Sequence, residues 1–97
     1  MKILFLQESL DEFSGAVEYY NTERPGLGFE FAAEVRNALN RIKKYPDSWP
    51  AVTDNIRKCI INRFPFAALY HREDDRIVIV ALMHMKRLPG YWKKRTE

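Results

Sequence analysis

"IVIVALM", residues 77–83, is an unbroken apolar run close to the end of a 97-residue chain. It shows no polar alternation, so it reads as a strand covered on both faces and central in its sheet. The rest of the fold follows outward from it. Asp74-Asp75 just before it suits a two-residue hairpin loop, which makes Phe66 to Glu73 the preceding strand. Ile56 to Ile61 is a further strand before that. If Glu73 and Arg76 flank the turn, paired residue numbers sum to 149, so Phe66 faces Met83, Ala68 faces Ala81 and Tyr70 faces Ile79. Alternation then puts Phe66, Ala68, Tyr70, Ile77, Ile79, Ala81 and Met83 on one face, expected to lie under helices. Ala67, Leu69, His71, Val78, Val80, Leu82 and His84 take the other.

Upstream, Ile3 to Leu6 reads as a short strand. Ser9-Leu10-Asp11-Glu12 fits a capping box, with Ser9 as N-cap and Glu12 three residues on. Leu10, Phe13, Val17 and Tyr20 continue at helical spacing, which predicts a helix over 9–22. Pro25-Gly26 breaks it. A second helix starts near Leu27 or Gly28, with Phe31, Val35, Leu39 and Ile42 as its stripe, and stops before Pro46. The loop "YPDSWPAVTDN" (45–55) leads to the strands. The order is β-α-α-β-β-β, an α+β fold with two N-terminal helices packed on one face of an antiparallel sheet.

Length predicts one domain over 1–97. With 46% hydrophobic and 30% charged residues, the composition is that of a globular chain. The single cysteine, Cys59, rules out an internal disulfide and suits a reducing compartment. The apolar Ile3–Leu6 run is too short for a secretory signal, and no run reaches membrane-spanning length, so a cytoplasmic protein without membrane partners is expected. The net charge of +3 is unevenly placed. Residues 1–34 carry seven acids against Lys2 and Arg24, a net of −5, and residues 35–97 carry a net of +8. A basic face of this kind suits nucleic acid or an acidic protein.

Two histidines in a small basic protein suggest an acid–base ribonuclease. The register argues against a shared site. His71 pairs with Val78, and His84 lies six residues further along that strand, about 20 Å away at roughly 3.3 Å per residue. His84 sits where the strand turns into Lys86-Arg87, a pair able to hold phosphate. Tyr91 and Trp92 suit either base stacking or capping of the sheet. Arg57, Lys58, Arg63, Lys93 and Arg95 complete the candidate contact surface for a target or phosphate, with Lys86, Arg87 and Trp92. Positive charge along an edge strand also blocks unwanted pairing. Cys59 reads as core. No glycine-rich phosphate loop, metal-ligand spacing or nucleophile elbow is present, and no cofactor is implied.

Four stretches taken together, "RPGLGFEFAAEV" (24–35), "YPDSWP" (45–50), "RFPFAALY" (63–70) and "HMKRLPGYWKKR" (84–95), resemble the ParE side of the RelE/ParE toxin superfamily. The resemblance covers nearly the whole chain. It implies the toxin of a type II (plasmid stabilisation type) module, a bacterial or archaeal source, and neutralisation by a cognate antitoxin, with a toxin–antitoxin hetero-oligomer as an expectation. ParE-like members are associated with inhibition of DNA gyrase, whereas RelE-like members cut mRNA on the ribosome. The RelE-like alternative would use His84, Arg87 and Tyr91 as catalytic residues. Its expected strand arginine falls at Ala67, which has no charge to stabilise a transition state. A degenerate member that only binds its antitoxin is a third reading.

Overall fold

The computed structural model describes residues 1–96; Glu97, the last residue of the expected domain, lies outside the described residues. The elements are β1 (Lys2–Phe5), α1 (Gln7–Glu23), α2 (Leu27–Lys44), β2 (Arg57–Ile60), β3 (Phe66–Arg72) and β4 (Arg76–His84), followed by a 3-10 turn, Lys93–Thr96. The β-α-α-β-β-β order matches the sequence reading, and the sheet order β1-β4-β3-β2 makes β4 internal.

The sheet is mixed, not antiparallel. β1 runs parallel to β4, with Lys2 opposite Arg76 and Phe5 opposite Ile79. The reason is the connection. The chain leaves β1 through two antiparallel helices and two further strands before β4 returns to its side, and nothing local to β1 specifies that direction. Among the described residues no helix is long and apolar enough to cross a membrane.

The helices form one layer. Phe31, Val35, Ala38 and Ile42 of α2 are buried against Cys59, Ala68, Tyr70, Ile77, Ile79 and Leu82 of the sheet. An aromatic group closes one end of this core: Phe31 lies 5.1 Å from Phe64 and 5.0 Å from Phe66, and Tyr20 lies 4.9 Å from Phe64. The helices touch closely at Gly28, whose N–H donates to Asn21 Oδ1 at 2.7 Å. A Cβ there would stand 2.2 Å from the Val17 carbonyl oxygen.

The expected capping box does not form. α1 begins two residues earlier than predicted, with Leu6 at its N-cap. Ser9 is instead wholly buried, and its hydroxyl donates to the carbonyls of Leu6 at 2.7 Å and Ile79 at 2.9 Å. The turn of α1 is set by β1, which runs straight into it and points Ser9 at β4.

The hairpin register is right at one end only. Tyr70, His71 and Arg72 pair with Ile79, Val78 and Ile77, as the sum of 149 requires, but a bulge between Leu69 and Tyr70 shifts the rest. Leu69 pairs with Ala81, Ala68 with Leu82, Ala67 with Met83 and Phe66 with His84. A one-residue slip exchanges faces. Leu82 and His84 therefore lie on the helix side, and Ala81 and Met83 lie on the other. That second face has a smaller core of Ile56, Leu69, Val80, Ala81 and Trp92, with Leu6, Met83 and Tyr91 packed around it. β4 is thus covered on both faces, as its apolar run suggested.

Candidate functional site

The site grows from the place where β1 stops. β1 pairs with β4 only as far as Ile79, so beyond it the backbone of β4 would have unpaired groups on that edge. Side chains take them up. Glu12, one turn after Ser9 on α1, accepts the Leu82 N–H at 3.1 Å, and Arg95 donates to the Val80 carbonyl at 3.2 Å. The same carboxylate accepts the Tyr91 hydroxyl at 2.6 Å and both Arg95 terminal nitrogens, at 2.8 and 3.2 Å. Glu12 therefore ties α1, β4 and the C-terminal turn together through four hydrogen bonds, including a two-pronged arginine–carboxylate pair.

This arrangement fixes the tail. Gly90 adopts a left-handed φ of 79°, which glycine tolerates, and the chain folds back so that Trp92 is only 3% exposed in the second core. The Arg87 and Arg95 guanidinium groups lie 4.0 and 5.0 Å from the centre of the Tyr91 ring. Burial first, and then the Glu12 hydrogen bond, push the Tyr91 hydroxyl well above the ordinary phenol range. The Glu12 hydrogen bond likewise raises Arg95.

At the end of β4, the Met85 N–H donates to the Pro65 carbonyl at 2.8 Å, and the Arg87 N–H donates to the His84 carbonyl at 3.0 Å. The His84 ring stands edge-on to Phe66, 5.0 Å between centroids. Its Nδ1 accepts the Lys86 N–H at 3.1 Å. A neutral His84 in that bond carries its proton on Nε2, which makes Nε2 a donor rather than a base.

The candidate residues thus separate. His84, Lys86 and Arg87 gather at the end of β4. The expectation that His84 shares a face with Ala67 is overturned by the bulge: Ala67 is fully buried opposite Met83, while His84 pairs with Phe66 on the helix side. The two histidines are apart, as expected, and also line different grooves. His84 lines one beside α1, and His71 lines one on the opposite face with Val80, Trp92 and Lys93. His71 Nδ1 lies 3.0 Å from the Asn55 carbonyl oxygen.

Several of the basic residues are occupied within the fold. Arg57 donates to the Trp49 carbonyl at 2.7 Å and so fastens the loop before β2. Arg63 has a left-handed φ of 72°, a conformation that costs a non-glycine residue about 1 kcal/mol. Its side chain is held by Glu30 at 2.8 Å and Glu34 at 3.6 Å. Arg95 is held by Glu12, and Trp92 is spent on the core. Among the described residues, Lys58, Lys86, Arg87 and Lys93 enter no ion pair. Lys86, Arg87 and Lys93 are exposed and Lys58 is half-buried. Glu12 was the residue whose role the sequence did not suggest. Its pattern matched a capping box, and its real partners lie 70 to 83 positions away.

Residues 3–89 match the family described as ParE toxin of type II toxin-antitoxin system, parDE. No curated protein matches the chain. Among solved structures, it is similar to a chain of the chromosomal ParDE TA system from P. aeruginosa, with a TM-score of 0.77 at 12% identity. That match covers 89% of this chain and 97% of the other.

Proposed function

The chain belongs to the ParE toxin family of parDE type II toxin–antitoxin systems, and from that premise we propose that it inhibits growth by acting on DNA gyrase until a cognate antitoxin neutralises it. Membership itself implies the antitoxin partner. Action in the cytoplasm and a toxin–antitoxin hetero-oligomer belong to the same proposal.

The observation that carries gyrase over mRNA cleavage is the condition of Tyr91. Its hydroxyl donates to Glu12, and its pKa is raised, so no phenolate stands ready to take a proton from an attacking hydroxyl. His84 offers an N–H rather than a lone pair at Nε2 while Nδ1 is engaged. Ala67 has no donor for a developing charge. What the region does present is exposed cationic surface at Lys86 and Arg87, and inhibition by binding needs such a surface without a proton-transfer set.

Induction of the chain in cells, without antitoxin, tests this. The expected outcome is filamentous, SOS-induced cells carrying linearised plasmid, with Arg87→Ala weakening target binding about tenfold, equivalent to roughly 1.4 kcal/mol. Rapid loss of translated mRNA with cuts at the ribosomal A site would overturn the gyrase reading. Unimpaired growth would favour a chain that binds its antitoxin and has no target.

A further inference from the structure

From Arg76 to Thr96 the chain carries six bases and no acid. Two of the six are spent, Arg76 on Glu73 and Arg95 on Glu12. The other four, Lys86, Arg87, Lys93 and Lys94, are exposed and enter no ion pair among the described residues. The turn between these two cationic pairs carries an apolar tip: Leu88 is 80% exposed, and Met85, where the turn begins, 43%. An isolated exposed leucine is ordinary. One set among unpaired cations on a fixed turn is a shaped surface.

The turn is fixed by its backbone. The N–H groups of Met85, Lys86 and Arg87 donate to the Pro65 carbonyl, His84 Nδ1 and the His84 carbonyl. Past the tip, the left-handed Gly90 turns the chain back, and its carbonyl accepts the Lys93 N–H at 3.0 Å. The Lys93 stem lies against that glycine: a Cβ on Gly90 would stand 3.1 Å from Lys93 Cε. Lys86 and Arg87 therefore precede the tip, and Lys93 returns beside it. The two rings of the segment are withdrawn from the surface. Trp92 is buried in the second core, and Tyr91 lies beneath the guanidinium groups of Arg87 and Arg95.

These features select among partners. Single-stranded nucleic acid is bound by stacking its bases on exposed aromatic rings, and here both rings are turned inward. A stable protein contact covers about 800 Å² on each partner around an apolar centre, more than one leucine and one methionine supply. Duplex DNA needs cations to match its phosphates, and its minor groove admits an aliphatic wedge between base steps. Resting on the gyrase reading, we infer that residues 85–94 bind duplex DNA directly. Lys86, Arg87, Lys93 and Lys94 meet phosphates, and Leu88 enters the minor groove at a base step. In this arrangement the toxin engages gyrase through the duplex that the enzyme holds.

Fluorescence anisotropy of the full chain with an end-labelled duplex of about 20 bp carrying a central TA step, in the absence of gyrase, tests the inference. The slope of log affinity against log salt is expected to be about −3.6, roughly −0.9 for each of four phosphates. Lys86→Gln and Lys93→Gln are each expected to make it shallower by about one. Leu88→Ala is expected to weaken binding about tenfold with the slope unchanged. It is also expected to remove the bend of roughly 20–90° that energy transfer between dyes at the two duplex ends reports for the parent chain. Phe29→Ala, at a residue 70% exposed on α2, is expected to change nothing. All four positions are exposed, and circular dichroism checks that each variant is folded. No duplex binding at about 50 mM salt, tighter binding of the matching single strand, or a Leu88→Ala variant that binds and bends as the parent does would each overturn the inference. Supercoiling by purified gyrase separates it from the reading on which it rests. Inhibition by a chain that does not bind duplex overturns the DNA contact and leaves gyrase as the target. Lys86→Gln that abolishes inhibition while duplex binding is unchanged assigns the cation to a protein surface, with the same result. Duplex binding without inhibition overturns gyrase as the target and leaves the DNA contact standing.

Discussion

At the scale of single residues, Glu12 shows how one carboxylate can govern a terminus. Its half-shielded position leaves the side chains of both Glu12 and Arg95 about 15% exposed, so their attraction is much less screened than that of a surface pair. Removing the carboxylate would leave Arg95 unpaired, the Tyr91 hydroxyl without an acceptor and the Leu82 N–H open. Glu12→Ala is therefore expected to cost about 2–3 kcal/mol in urea unfolding, with Trp92 fluorescence reporting loosening of the tail. A change below about 0.5 kcal/mol, ordinary for a surface substitution, would show that the turn is held by Trp92 packing alone. The sequence displayed Glu12 as part of a capping pattern because Ser9 precedes it by three residues. That pattern is real but local, and it lost to burial: Ser9 gains two carbonyl acceptors in the core, and Glu12 gains an arginine.

At the scale of elements, two glycines on the helices make opposite demands. Gly15 lies exposed in α1 with open space around its Cα, so Gly15→Ala is expected to stabilise by roughly 0.5–1 kcal/mol through helix propensity. Gly28 lies where α2 crosses α1, and the Val17 carbonyl occupies the place of a side chain. Gly28→Ala is expected to destabilise by about 1–3 kcal/mol as the helices separate. Thermal unfolding of the two variants should bracket the parent, one midpoint above it and one below; the same order for both would contradict the packing described. The helices, strands and turn at Asp74-Asp75 were legible because periodicity, Pro25-Gly26 and Pro46 are short-range signals. The bulge at Leu69/Tyr70 was not. Ala67, Ala68 and Leu69 on one strand and Val80, Ala81 and Leu82 on the other are all small or apolar, so either register satisfies the pattern. Packing of Leu82 beneath α1 and of Ala81 beside Trp92 selects the shifted one.

At the scale of the whole molecule, each of the two cores on either face of β4 packs a phenol, the buried Tyr70 in one and the half-buried Tyr91 in the other, and this makes stability sensitive to alkali. Burial raises Tyr70 from 10.0 to about 12, and its hydroxyl donates to the Pro46 carbonyl at 2.6 Å. Tyr91 is raised as well. A raised pKa means the folded chain holds the proton more tightly than the unfolded chain. Its contribution is complete below pH 10 and is lost as pH rises toward 12. Urea midpoints are expected to fall across that interval, and Tyr70→Phe is expected to flatten part of the fall; an unaltered slope in that variant would refute the assignment. The sequence by itself determined the order of elements, the central place of β4, the separation of the two histidines and the family, because each rests on local periodicity, punctuation or motif spacing. Only the tertiary structure decided that β1 runs parallel to β4, that His84 and Ala67 lie on opposite faces, and that Glu12 binds the C-terminal turn. The first and third of these outcomes depend on contacts between residues some 70 to 83 positions apart, and the second on which strand register the two cores accept; competing pairings differ by packing and by satisfied polar groups, and no local pattern encodes that difference.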